Sequence, residues 1–261
     1  MRKNRFAAFG GGAVIGTLGG LIGLGGAEFR LPLLIGMFGF ASLEAVILNK
    51  AMSIVVVASA LPFRMGTIPF SILMDHWSVV LNLLAGSLLG AWVGAGWAIR
   101  LRTATLYRVI AMLLLLIALL LVFGHSPTNP SMPPFSGATQ VIVGVAAGFG
   151  IGVVASLLGV AGGELLIPTL VLLFGIDIKL AGSLSLAISL PTMLVGFTRY
   201  STDQSFAVVD RNRNFVWVMA AGSLFGAFLG GQLVGMVPPG LLMPLLAVIL
   251  VISVIKIWRH T

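Results

Sequence analysis

The chain has no cysteine, so it has neither a disulfide framework nor a thiolate metal site, and its redox compartment stays open. Charge is scarce: Asp, Glu, Lys and Arg make up 8% of 261 residues, about a third of what a soluble domain carries. That excludes an ordinary water-exposed globule. The three histidines, His76, His125 and His260, are scattered in loops and at the terminus without ligand spacing, so no metal and no cofactor is expected. No G-x-x-x-x-G-K-[ST] phosphate loop occurs, and ATP hydrolysis would have to come from a partner chain. Neither H-E-x-x-H nor a G-x-S-G nucleophile motif is present, which weighs against an embedded enzyme.

What is there is apolar: 59% hydrophobic residues and a mean hydropathy of +1.13. VILNKAMSIVVVASAL (46–61), VVLNLLAGSLLGAWVGAGWAI (79–99), YRVIAMLLLLIALLLVFG (107–124) and LLMPLLAVILVISVIKIW (241–258) approach or reach the roughly 20 residues of a spanning helix. The chain reads as an all-α polytopic membrane protein whose surroundings are membrane lipid. In such a chain the net charge of +8 marks cytoplasmic helix ends, not nucleic acid. The N-terminal MRKNRFAAFGGGAVIG resembles a signal peptide but runs on without a convincing cleavage site, and reads as a retained first segment.

A shift of 136 residues superimposes the halves. GLIGLGGAEFRLP (20–32) returns as SLLGVAGGELLIP (156–168), and AGSLLGAWVGAG (85–96) returns as AGSLFGAFLGGQ (221–232), without a gap between the matches. The expected organisation is repeat 1 over 1–123, an external proline-rich linker over 124–138 and repeat 2 over 139–261, forming one membrane domain. Each repeat holds a Gly-rich segment, a short apolar piece and three full-length segments. These are 6–23, 29–39, 43–63, 78–99 and 105–123, then 139–158, 165–175, 179–198, 215–236 and 241–257, which gives eight to ten membrane segments.

Equivalent loops carry opposite basic bias. Arg100, Arg102 and Arg108 flank a turn whose second-half counterpart, MVPPG, is uncharged, whereas Arg199, Arg211 and Arg213 flank a second-half loop whose first-half counterpart has Arg64 alone besides His76. The repeats are therefore expected to be inverted, with both termini cytoplasmic in the cell membrane. Eleven of the 15 basic residues then fall at cytoplasmic edges: Arg2, Lys3, Arg5, Arg100, Arg102, Arg108, Arg199, Arg211, Arg213, Lys256 and Arg259. A helix of about eleven residues rises about 16 Å, roughly half the hydrocarbon thickness, so the first two pieces of each repeat are read as a broken-helix hairpin.

Irregular backbone at membrane depth must be sheltered in protein or line a cavity. The glycines allow a sharp turn, and a helix starting near Ala27 or Glu28 would aim free N–H groups and a positive dipole end at an anion. Pro32 and Pro168 are expected in early turns, where a missing N–H matters little. The candidate substrate-binding set is Gly23, Gly25, Gly26, Ala27, Glu28, Asn49, Lys50 and Ser53 in the first half, and Gly159, Gly162, Gly163, Glu164, Ser185 and Ser189 in the second. Glu28 and Glu164 either exchange a proton or complement the dipole of the helix they start. Lys50, in mid-span, either attracts an anion or snorkels to the interface. Asn49 and Ser53 share a face at i, i+4, repeated by Ser185 and Ser189. Arg30 reads as a neutralising neighbour of Glu28. Gly86, Gly90 and Gly94, with Gly222, Gly226 and Gly230, read as close helix packing.

The paired GLGGAEFRLP and GVAGGELLIP motifs resemble those of the TauE/SafE family of sulfite and organosulfonate exporters. The resemblance covers both halves and implies a multi-span transporter of small sulfur-containing anions or carboxylates. The chain departs from the usual three glycines, having Gly25-Gly26-Ala27 and Ala161-Gly162-Gly163. With the cell interior negative, an anionic charge leaving gains about 2.3 kcal/mol per 100 mV, so efflux needs no coupling ion. The expected function is secondary export of sulfite, sulfonate or a related anion by alternating access. An anion channel is the nearer rival, and a membrane-embedded enzyme the remoter one. A homo-oligomer is compatible with all of this.

Overall fold

A computed structural model describes residues 5–22, 26–65, 74–123 and 135–233, and every regular element among them is helical. The first half contains α1 (Arg5–Ile22), α2 (Ala27–Gly36), α3 (Ser42–Met65), α4 (Trp77–Arg100) and α5 (Thr103–Phe123). The second contains α6 (Gly137–Leu158), α7 (Gly163–Phe174), α8 (Ile178–Tyr200), α9 (Ala207–Arg211) and α10 (Arg213–Leu233), with a 3-10 turn at Gln204–Phe206 before α9. The expected segment 241–257, the MVPPG turn and most of the proline-rich linker lie outside the described residues. Among the described residues four helices are long and apolar enough to cross a membrane: Ser42–Ser59, Trp77–Arg100, Gly137–Leu158 and Leu180–Tyr200.

The small-residue stripes seat the helices. A Cβ at Gly86 would collide with the Val145 carbonyl, at Gly90 with that of Phe149 and at Gly94 with the Val153 backbone, so α4 lies directly on α6. Likewise Gly222 meets the Phe9 carbonyl and Gly226 the Ala13 carbonyl, which lays α10 on α1. Adding 136 to one partner and subtracting it from the other converts the first set of contacts into the second. The facing glycines obey the same exchange: Gly148 on Leu83 and Gly152 on Ser87 match Gly12 on Met219 and Gly16 on Ser223. In both pairs the residue numbers rise together, so the paired helices run parallel. The repeat equivalents α3 and α8 run in opposite senses: Lys50 sits beside Gly196, while Val57 and Ile54 cluster with Met193, Leu190 and Leu186.

Helix ends define two edges. Phe38 and Phe40, just beyond α2, pack on Phe215 at ring-centroid separations of 4.9 and 5.5 Å, and Phe215 shares an open cleft with Arg5 at the start of α1. The chain from α1 through α2 thus leaves one edge and returns to it. The Ser42 hydroxyl donates to the Thr103 carbonyl at 3.4 Å, so α3 and α5 start there too. At the opposite edge Asn82 of α4 donates to the Val141 carbonyl of α6 at 3.2 Å. There α7 folds back along α6, with Gln140 donating to the Leu173 carbonyl at 2.9 Å.

Pro32 and Pro168 differ from expectation. Each is the sixth residue of its helix, so each removes the i+4 donor from the carbonyl of Glu28 or Glu164, a loss that an early-turn proline would not cause.

Candidate functional site

The two hairpin tips meet inside the protein. Gly26 (φ 68°) and Gly162 (φ 81°) precede α2 and α7 in the left-handed conformation, which side chains with a Cβ adopt only at a cost. Ala27 and Gly163 are the first helical residues, both buried. Gly159 (φ 67°) ends α6 and lies so close to the Val46 carbonyl of α3 that a Cβ would collide with it. Gly23 and Gly25 lie outside the described residues.

Glu28 and Glu164, one from each half, lie within hydrogen-bonding reach of each other. Each carboxyl also faces the amide of its own residue. The helix-start N–H groups are therefore partly met by the protein's own carboxyls, so the dipole-complement reading and the acid-pair reading describe the same geometry. Glu28 is 1% exposed, while Glu164 is half-buried. Glu28 Oε2 and Glu164 Oε1 are buried without a hydrogen-bond partner.

Asn49 holds the tips together. Its amide donates to the Ala27 carbonyl at 2.9 Å and to the Leu158 carbonyl at 3.1 Å, linking the start of α2 to the end of α6. Its Oδ1 accepts from Arg30 Nη1 at 3.4 Å, and the Ser53 hydroxyl accepts from the same nitrogen at 3.2 Å. Arg30 is thus committed to α3, not simply to neutralising Glu28, although the Glu28 carboxyl lies near enough to act on it electrostatically. Its side chain is 0% exposed, and Nε and Nη2 have no hydrogen-bond partner. Those two N–H groups form one edge of the guanidinium, the edge that takes two oxygens of a carboxylate or sulfonate side by side.

Lys50 does not snorkel. It is 0% exposed, and its Nζ donates to the Ala155 carbonyl at 3.2 Å and lies 3.5 Å from Ser156 Oγ, at the C-terminal end of α6, where the helix dipole favours a cation. The hydroxyl of buried Tyr200 donates to the Ser156 carbonyl at 2.8 Å, so α8 ties to the same turn. In the second half Ser185 donates to Gly182 of its own helix at 2.9 Å, and Ser189 is buried farther along. The repeat equivalents of Arg30 and Lys50 are Leu166 and Leu186, so both buried cations come from one half. Sequence reasoning left Arg30 out of the site and did not see Tyr200. The signal for Arg30 was present: it is one of the four basic residues that the edge assignment does not use.

Long apolar helices, close glycine packing and a polar, charged cluster where the start of α2 meets α3 and the turn between α6 and α7 define a membrane protein with an internal polar site. The chain matches the sulfite exporter TauE/SafE family over residues 7–257 and belongs to it. It is similar to the "Probable membrane transporter protein YunE" of Bacillus subtilis (strain 168), 24% identical over 241 residues, covering 85% of this chain and 84% of that one. No solved structure gives a significant match.

Proposed function

We propose that this chain is a secondary transporter that exports small anions, of the sulfite, sulfonate or related organosulfur class, by alternating access across the cytoplasmic membrane. The observation that carries the reading is the unmatched Nε–Nη2 edge of the fully buried Arg30. A buried guanidinium edge without acceptors is costly, and a two-oxygen anion supplies them in the geometry that edge presents. Ser53, Asn49 and the start of α2 surround that guanidinium, and Lys50 adds positive potential from the same helix.

The repeats are inverted across the bilayer in this reading. Support comes from the opposite senses of α3 and α8, from hairpins entering at opposite edges, and from the basic residues at the edge where α1, α3 and α5 begin. Arg5, Arg211 and Arg213 line one cleft of about 400 Å³ there, which fits a cytoplasmic face. Rocking of the halves would open the tip region to each side in turn.

The test is anion flux in proteoliposomes, with sulfite, methanesulfonate, sulfoacetate and thiosulfate as probes. Saturable flux with counterflow is expected, falling at least tenfold in Arg30→Met and recovering only in part in Arg30→Lys, which keeps the charge but loses the fork. Flux undiminished in Arg30→Met would remove the site assignment, and flux that neither saturates nor shows counterflow would make the protein a channel.

A further inference from the structure

Two carboxyl groups can hydrogen-bond to one another only if a proton lies between them. Glu28 and Glu164 lie within hydrogen-bonding reach of each other, at repeat-equivalent positions, and neither Glu28 Oε2 nor Glu164 Oε1 receives a donor from the protein. Without the proton, two like charges would face each other where little water screens them.

The charged groups around the pair are few. Arg30, on the same helix as Glu28, acts on it electrostatically. Lys50 on α3 is turned to Ala155 and Ser156. α6 and α7 contribute no charged side chain apart from Glu164 itself, and α1 and α8 carry theirs only at their ends, as Arg5, Lys179 and Arg199. Among the described residues Arg30 is therefore the cation placed to compensate a bare Glu28 carboxylate. An anion seated on the Arg30 edge takes that compensation away.

We propose that Glu28 and Glu164 together form a single proton-binding site, and that one proton shared between them latches the two hairpins and is bound together with the anion. The inference rests on the anion seat proposed at Arg30. Proton and anion favour each other because the anion occupies the guanidinium that would otherwise balance Glu28, and linkage makes the effect reciprocal. Loss of the proton sets the carboxylates in repulsion and parts the tips. Charge balances in each cycle: one monovalent anion and one proton cross together, so the step carries no net charge, and export on this route is driven by the anion's own concentration gradient and not by the membrane potential.

Two measurements test this on the full chain in lipid. The first needs no substrate: infrared difference spectra between acid and alkaline buffer in H2O and D2O. Beyond the signals of the five other acidic residues, one further titrating carboxyl signal per chain is expected, lost in Glu28→Gln and in Glu164→Gln alike. The second is methanesulfonate flux into liposomes containing a pH dye, a probe chosen because this strong-acid anion brings no proton of its own. One proton per anion is expected in the wild type and none in either variant. Glu28→Asp, which keeps an acid but shortens its reach, is expected to uncouple in the same way and guards against a Gln variant that fails to fold. Survival of that further signal in one Gln variant, or a proton count that no variant changes, would overturn the shared site. If no anion moves at all, the transport reading fails while the infrared measurement still decides the proton pair.

Discussion

Arg30 has two nitrogens unmatched in the interior, and a charge in that condition strains the fold that holds it. Exchanging buried charges, partners included, for well-packed apolar groups is often neutral or stabilising, by about 1 to 4 kcal/mol, and Arg30 is hydrogen-bonded only to neutral Asn49 and Ser53, so its loss strands no bonded partner charge. Arg30→Met is therefore expected to melt no lower than the wild type, and higher if the strain is large, while its flux collapses; thermal unfolding in detergent beside the flux assay checks the opposition. A variant that unfolds early would instead make Arg30 a structural strut. Asn49 should behave in the opposite way. Its amide satisfies the Ala27 and Leu158 carbonyls, and Asn49→Ala leaves buried acceptors unmet at about 1 to 3 kcal/mol each. Both flux and melting temperature are expected to fall. These contrasting outcomes separate a residue kept for binding from one kept for holding the tips in register.

At the scale of the element, the repeat predicts pairs of equal effects. Gly90→Ala and Gly226→Ala each drive a Cβ into a backbone carbonyl of the facing helix, Phe149 in one case and Ala13 in the other. Overpacking of that kind costs typically 1 to 3 kcal/mol, and the two losses of stability should agree within error. A loss at one site alone would show that the two helix pairs do not bear the fold equally. Much of this level was legible beforehand. Small residues four apart announced a helix contact, and the glycine turns announced where α2 and α7 begin, because both signals are local. The destination of the Arg30 guanidinium was not, since it depends on how α2 is set against α3 and its repeat mate, Leu166, offers no hint. The Tyr200 bond to Ser156 spans 44 residues and was invisible for the same reason. The depth of Pro32 within α2 was misjudged because a helix start is uncertain by a residue or two.

For the molecule as a whole, the absence of cysteine makes topology directly measurable. Single cysteines replacing Asn212 and Ser136 are expected to react with an impermeant thiol reagent from the cytoplasmic and external sides respectively. Labelling of both from one side would overturn the inverted arrangement. A further consequence follows from the placement of Arg30 and Lys50 in the first half alone. In the inverted, alternating-access arrangement proposed above, identical halves would make the inward-facing and outward-facing forms the same structure seen from opposite sides, equal in energy and equally populated. Two buried cations opposite two leucines break that degeneracy. A bias of about 1.4 kcal/mol is enough for a tenfold preference between the end states. In the proposed cycle these two unmatched cations then bias the chain's resting orientation, and with it the side on which it waits for its cargo.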